Sequence, residues 1–363
     1  MSWEGNSMVE WKKLGDVCSF NRGKTITAKN AVKGEVPVIA GGQTPSYYHN
    51  QANREGESIT VAGSGAYAGF VSYWDCPIFV SDAFTVDPSN MLLHKYVFQW
   101  LKMNQQKIFE TQKGAGVPHV HGKDISSFLI PIPSLAEQER IVGILDTFTA
   151  SIDNLKGQIA QRRKQFEFYR DQLLDLEGKQ GVEMKRLGDI GEICMCKRIM
   201  KNQTSENGEI PFYKIGTFGG KADAYISRKL FEEYRIKYSY PQKGDILISA
   251  AGTIGRSITF DGKDAYFQDS NIVWISNNEE IVSNRYLYYF YQIAEWKTDG
   301  GTIKRLYNYN LKNTSLPVPS HSRQERIVSI LDTFTESIKN LEAQLEQRQK
   351  QYEYYRNQLL TFA

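Results

Sequence analysis

The sequence predicts an α+β protein in which two mixed α/β globules are separated by an antiparallel intramolecular coiled coil of two long helices, with pseudo-two-fold symmetry. Three observations predict this. A stretch near the middle of the chain recurs at its C-terminus. Each copy carries a heptad pattern of apolar residues. The segment ahead of each copy alternates short β-rich runs with Gly-containing turns.

The repeat fixes the organisation. Pro131–Leu176 reads PIPSLAEQERIVGILDTFTASIDNLKGQIAQRRKQFEFYRDQLLDL, and Pro317–Phe362 reads PVPSHSRQERIVSILDTFTESIKNLEAQLEQRQKQYEYYRNQLLTF. The offset is 186 residues without a gap, and roughly three in five positions are identical. So long a period excludes a solenoid and points to duplication of a whole half-protein.

The first globule runs over Val9–Ile130 and opens VEWKKLGDVCSF; the second half opens VEMKRLGDIGEI at Val182–Ile193, an offset of 173. The second globule is therefore the longer by 13 residues. In the first, Glu35–Ala40, Ser58–Ala62, Gly69–Tyr73 and Ile78–Val86 read as strands and Lys95–Phe109 as a helix. In the second, Ile210–Ile215, Asp245–Ser249, Ser257–Phe260 and Asn271–Ile275 read as strands and Arg285–Lys297 as a helix. GSGAYAG (Gly63–Gly69) aligns with AAGTIGR (Ala250–Arg256), and SDAFTV (Ser81–Val86) with QDSNIVW (Gln268–Trp274). KGAGVPHVHGKDISSFLIPIP (Lys113–Pro133) aligns with DGGTIKRLYNYNLKNTSLPVP (Asp299–Pro319).

In the first helix Ile141, Leu145, Phe148, Ile152, Leu155, Ile159, Phe166, Tyr169, Leu173 and Leu176 follow steps of three and four, with Arg162 as the polar interruption. In the second the same series runs through Ile327, Leu331, Phe334, Ile338, Leu341, Leu345, Tyr352, Tyr355, Leu359 and Phe362, interrupted at Arg348. Such spacing puts one narrow apolar seam along a helix. Neither helix can bury its seam alone, and the other copy is the natural partner. The two arginines then pack their stems and set register as a polar layer. EGKQG (Glu177–Gly181) ends the first helix, and Ser134 and Ser320 can cap the starts. The expected boundaries are 1–133, first globule; 134–178, central helix; 179–319, second globule; 320–363, C-terminal helix.

Composition adds bounds. The 363 residues are 41% hydrophobic and 23% charged, within the range of globular protein. No segment approaches the roughly 20 apolar residues of a membrane span. The opening MSWEGNSM lacks the order of a signal peptide, and Met8 is an alternative start. The four cysteines, Cys18, Cys76, Cys194 and Cys196, do not recur equivalently, and reduced thiols in the cytoplasm are expected. Of the net charge of +3, the helices carry −2 and 0 and the globular windows +1 and +4, which permits nucleic-acid binding without demanding it.

No phosphate-binding glycine loop, dinucleotide fingerprint, amino-methyltransferase motif or nuclease signature is present, and Asp82/Asp269 is the clearest acidic pair shared by the globules. A zinc site at Cys194-Met-Cys196 lacks a second ligand pair, and His119-Val-His121 lacks a third ligand. Tyr307, Asn308, Tyr309 and Asn310 after Lys304 and Arg305 mix planar groups, donors and positive charge, which suits base edges and phosphates as well as it suits a solvated loop. The equivalent stretch of the first globule offers Lys113, His119, His121 and Lys123, and Arg256 lies in the aligned glycine turn.

The order globule, helix, globule, helix, with LGD openings and the segments PIPSLAEQERIVGILD and PVPSHSRQERIVSILD, resembles the specificity subunit of type I restriction–modification systems over nearly the whole chain. The resemblance implies that each globule is a target recognition domain, and that the helices pair as a ruler between them and dock methyltransferase subunits. It implies a non-catalytic subunit that recognises a bipartite, asymmetric site on double-stranded DNA. It implies two methyltransferase partners and restriction/translocase subunits; S-adenosylmethionine, ATP and Mg belong to those partners, with no cofactor and no metal on this chain. The docking candidates are Glu137, Gln138 and Glu139 in the first copy and Arg323, Gln324 and Glu325 in the second. Arg323 replaces Glu137, which departs from strict equivalence of the two docking sites. The alternative reading is a coiled-coil scaffold whose duplicated globules bind something other than DNA.

Overall fold

The structure is a computed structural model and describes residues 9–300 and 304–362; Met8, the alternative start, lies outside the described residues. Contacts divide the chain into two compact units, one of the residues up to Gly157 with those from Glu342 onward, the other of Gln158–Leu341. Both boundaries fall inside the long helices. Compactness therefore groups each globule with half of each helix.

In the first unit the chain forms β1 (Glu10–Lys13), α1 (Leu14–Val17), β2 (Cys18–Arg22), β3 (Val36–Ile39), β4 (Tyr47–His49), β5 (Ser58–Ala62), β6 (Val71–Trp74), β7 (Phe79–Val80) and β8 (Ala83–Pro88). There follow α2 (His94–Met103), α3 (Gln105–Glu110), α4 (Gly122–Ile125), β9 (Leu129–Ile132) and the start of α5 (Leu135–Leu174). The second unit repeats the plan with β10 (Val182–Arg186), α6 (Leu187–Ile190), β11 (Gly191–Cys194), β12 (Ile210–Tyr213), β13 (Tyr225–Ile226), α7 (Arg228–Lys237), β14 (Ile246–Ser249), β15 (Ser257–Thr259), β16 (Tyr266–Phe267) and β17 (Ile272–Asn277). It closes with α8 (Asn284–Tyr291), α9 (Asn308–Lys312), β18 (Ser315–Pro319) and the start of α10 (His321–Thr361).

The sheets match strand for strand. The first unit has sheets ordered β1-β9, β2-β8-β5-β6 and β4-β3-β7; the second has β10-β18, β11-β17-β14-β15 and β13-β12-β16. Each globule is closed by pairing its opening with its end, Glu10 opposite Ile132 and Val182 opposite Pro319. Ser58–Ala62 and Ile246–Ser249 are buried throughout because neighbouring strands flank both and the core packs on them. The cores gather Leu14, Ile59, Val61, Tyr96 and Trp100 in the first unit, and Leu187, Ile248, Tyr286, Tyr289 and Tyr291 in the second.

Several local expectations need correction. The single strand expected over Ile78–Val86 is two. Val80 pairs in parallel with Ile39, Ser81 N–H still donates to Ile39 O at 2.7 Å, and the chain then crosses to the other sheet, where Ala83 pairs with Ala62. The helix expected over Lys95–Phe109 breaks at Asn104, whose side chain donates to Trp100 O at 2.9 Å and ends α2. The helix expected over Arg285–Lys297 stops at Tyr291, beyond which Trp296 folds back against the Tyr291 ring. The opening and closing ribbons and α7 were not read from the pattern. Helix α7 lies between β13 and β14 and has no counterpart in the first unit, so it holds most of the 13 extra residues.

Each unit pairs α5 with α10 through the same contacts. In the first, Phe148 stacks on Tyr355 at 5.3 Å and Arg348 lies over the Phe148 ring at 5.6 Å. In the second, Phe334 stacks on Tyr169 at 5.4 Å and Arg162 lies over the Phe334 ring at 5.7 Å. The two seam arginines are therefore cation–π partners of the other helix.

Candidate nucleic-acid interface

In each unit three loops meet at one end of the main sheet and are joined through backbone hydrogen bonds. In the first, the turn after β5 meets the corner before β8, Gly63 N–H donating to Asp82 O at 3.0 Å. It also meets the loop before α4, Val120 N–H donating to Gly63 O at 3.1 Å. In the second, Ala250 N–H donates to Asn271 O at 2.7 Å and Leu306 N–H to Ala250 O at 2.9 Å. The third loop is pinched at its base both times: Lys113 and His119 exchange backbone bonds of 3.0 and 2.8 Å, and Asp299 and Arg305 bonds of 3.1 and 2.9 Å. Gly114 and Gly300 follow the first base residue with φ of +113° and +115°, a conformation that favours glycine.

This superposition corrects one pairing. Asp82 is matched by Asn271, the residue that accepts from the same turn, and Asp269 belongs to an extra pair of residues ahead of it. The acidic pair is thus not shared between the two globules.

On the shared frame the side chains differ. In the first unit Ser64 donates from Oγ to the Asp82 carboxylate, while His119 and His121 are exposed with rings stacked 6.3 Å apart. Arg22, Phe20 and Phe84 complete a cleft of about 170 Å³ beside them. In the second unit the position of His119 is Arg305. Its guanidinium donates to Asn271 Oδ1 at 2.8 Å and Ser270 O at 3.1 Å. The position of His121 is Tyr307, exposed, and that of Lys123 is Tyr309, 73% exposed. Arg256 is exposed and reaches Gly219 O at 3.3 Å; Arg198, also exposed, pairs with Asp269 at 2.9 Å.

Among the residues singled out from sequence, His119, His121 and Lys123 therefore lie together and exposed in one unit, and Lys304, Tyr307, Asn308 and Tyr309 in the other. Two do not present themselves. Asn310 is buried, donating to Lys297 O and Asp299 Oδ2 at 2.9 and 2.8 Å, and Arg305 is engaged as a clamp. Lys113 ion-pairs with Asp124, whose carboxyl also accepts from His121 N–H at 2.9 Å. Burial acts to raise the Asp124 carboxyl. The Lys113 hydrogen bond, the His121 N–H and the nearby positive charges outweigh it and hold the acid below the usual carboxylate range. Sequence reasoning passed over Arg22, Arg198, Ser64 and Asn271, because their relevance comes from loops that only the topology brings together.

The expected docking residues divide as well. Gln138 and Gln324 are fully buried, so neither lies on a docking surface. Gln138 accepts from Leu93 N–H and donates to Met91 O and Pro133 O at 2.9–3.0 Å. Gln324 repeats this with Ser283 N–H, Ile281 O and Pro319 O. Each ties the start of a long helix to the loop before α2 or α8. Glu139 and Glu325 are exposed; Glu137 is held by Arg140 of its own helix at 2.7 Å, and Arg323 is half-buried.

The profile of the type I restriction modification DNA specificity domain matches residues 6–162 and 179–348, one match per half. The chain belongs to this family. A putative type I restriction enzyme specificity subunit of Haemophilus influenzae is 44% identical over 98% of this chain and 96% of its own length. The specificity subunit of the Escherichia coli type I restriction enzyme EcoR124I/EcoR124II is 29% identical over 98% of this chain and 94% of its own. The crystal structure of the type I S subunit from M. genitalium shares the fold, with a TM-score of 0.66 over 99% of this chain and 98% of that one at 17% identity. The protein is thus a type I specificity subunit, and its two globules are target recognition domains. No helix among the described residues is long and apolar enough to cross a membrane.

Proposed function

We propose that this specificity subunit reads a bipartite, asymmetric site on double-stranded DNA, one half with each recognition domain, through the loop triads described above. The observation that carries the reading is a common backbone frame whose exposed side chains differ between the domains. A frame repeated with His119, His121 and Lys123 in one copy and Tyr307, Asn308 and Tyr309 in the other gives two readers that dock alike and select different bases. Lys304, Arg22 and Arg256 supply positive charge for phosphates around them.

The subunit acts without chemistry of its own, and the paired helices hold the spacing between the half-sites. Two methyltransferase subunits dock on the helix pair and carry S-adenosylmethionine. Restriction/translocase subunits bring ATP and Mg, and the assembly works in the cytoplasm. The exposed faces around Glu139 and Glu325 suit docking, and Arg323 in the place that Glu137 holds in the first copy makes the two faces electrically unequal.

The test is exchange of residues 9–130 for the first globule of another family member, followed by sequencing of methylated bases in cells that carry the methyltransferase subunit. One half of the methylated site changes and the other half stays. Change of both halves, or of neither, contradicts the reading.

A further inference from the structure

We propose that Lys113–Asp124 and Asp299–Asn310 are one loop lock with its polarity exchanged, and that these four residues position the reading loops without touching DNA. The proposal rests on the DNA-reading role of those loops and assigns to Lys113 a different task from the phosphate contact its charge suggests.

The four residues occupy two equivalent pairs of places. Lys113 and Asp299 are the first base residues of the pinched loop; Asp124 and Asn310 sit in the short helix that follows it. In the first domain the donor is on the loop: the Lys113 ammonium donates to a carboxylate whose side chain is only 4% exposed. In the second the donor is on the helix: Asn310 Nδ2 donates to Asp299 Oδ2 at 2.8 Å. Donor and acceptor have changed elements and the connection has stayed.

The loop of the first domain needs such a tie. Residues 114–117 are exposed, Val117 to 53%, so little apolar burial holds them. Beyond the lock, Gly65 N–H donates to Pro118 O at 3.0 Å and joins the loop to the turn after β5. Each lock has a second arm that passes its hold along the chain. Asp124 also accepts from the backbone N–H of exposed His121, and Asn310 also donates to Lys297 O, just before its loop. Were Lys113 to turn its ammonium to a phosphate, it would leave the nearly buried Asp124 without its counter-charge. In the second domain the equivalent position is an acid, which cannot serve a phosphate at all. One role fits both places only if the role is mechanical.

The experiment uses the full chain assembled with its methyltransferase subunit. Binding is measured on duplexes with the intact site and with either half scrambled, over a salt series. K113D sets two acids against each other and lowers specific affinity about tenfold. The loss is confined to the first half-site, so duplexes already scrambled there are bound as by wild type. K113D/D124N recreates the chemistry of the second domain and returns affinity to within about threefold of wild type. K113M leaves the slope of log affinity against log salt unchanged. The proposal is overturned if the double variant binds as weakly as K113D, or if K113M lowers the slope by about one, the signature of a lost phosphate contact. It is also overturned if K113D binds as wild type. Should K113D fail to fold, a folded and binding double variant still supports the lock, and a folded double variant that does not bind refutes it. Failure of the recognition reading itself is seen separately, as a wild-type assembly indifferent to scrambling of either half.

Discussion

The two recognition domains share every strand, while the same structural place is held by different chemistry in each. The acceptor at the sheet corner, Asp82 or Asn271, is gripped by Ser64 from the turn after β5 in the first domain and by Arg305 from the reading loop in the second. The long helices behave in the opposite way. There the contacts Phe148–Tyr355 and Phe334–Tyr169 repeat residue for residue, as do the Gln138 and Gln324 latches. The difference teaches where sequence can diverge. In the domains the frame is carried by backbone hydrogen bonds, which any side chain permits, so the side chains are free to differ. Along the helices the structure is carried by the side chains themselves.

The comparison can be broken most severely at the latches. Gln138→Leu and Gln324→Leu each remove the three hydrogen bonds of a fully buried amide side chain, and each is expected to cost about 3 kcal/mol in the unfolding of its own unit. Denaturant melts followed by hydrogen exchange would show it. Equal losses confirm that the two latches are one device; a loss below about 1 kcal/mol at either site contradicts that.

The clamps come next. Arg305→Ala should speed hydrogen exchange across the described part of the loop from Asp299 to Tyr307, because it removes the ties to Asn271 and Ser270. His119→Ala should leave exchange in Lys113–His121 unchanged, since the clamp there is Ser64 on Asp82, while still impairing the first half-site. Matching exchange responses would mean that the domains are held alike after all.

A smaller effect is expected along the helices. Double-mutant cycles on Phe148/Tyr355 and Phe334/Tyr169 should return the same coupling, about 1 kcal/mol. The smallest is a pH effect on the reading loop of the first domain. Because Asp124 titrates below the usual carboxylate range in the folded chain, its contribution is complete above about pH 4 and is lost as the pH falls through its lowered value. Loop 113–121 should therefore loosen as the pH falls below the usual carboxylate range, in hydrogen exchange corrected for intrinsic rate.

Much of this was legible in the sequence. The repeat at an offset of 186 placed both long helices, and the seam with its two arginines placed their pairing. The central strands were readable because Ser58–Ala62 and the segment near Ile246 are apolar runs flanked by turns. What failed did so for physical reasons. The crossing at Ser81–Asp82 leaves no mark in hydropathy, because both strands it joins are buried. The Asn104 break is a side chain competing for a helix carbonyl, which residue type suggests only weakly. Gln138 and Gln324 looked like surface because they sit between charged residues, Glu137 and Glu139 in one copy and Arg323 and Glu325 in the other; their burial depends on carbonyls at Met91 and Ile281, distant in sequence. Of the candidate site, the correct loops were found through the alignment of Lys113–Pro133 with Asp299–Pro319. Which of their residues face outward was not, since Arg305 and Asn310 differ from their neighbours only in the partners that the fold supplies.

The central claim is that one frame serves two independent readers. It is tested most directly by a chain carrying the second domain in both places, Val182–Leu316 substituted for Val9–Ile130. The junctions match, since β1 pairs with β9 as β10 does with β18. Sequencing of methylated bases in cells with the methyltransferase subunit should return a site whose two halves are the same sequence, that of the original second half. An unchanged first half, or an altered second half, would contradict the account.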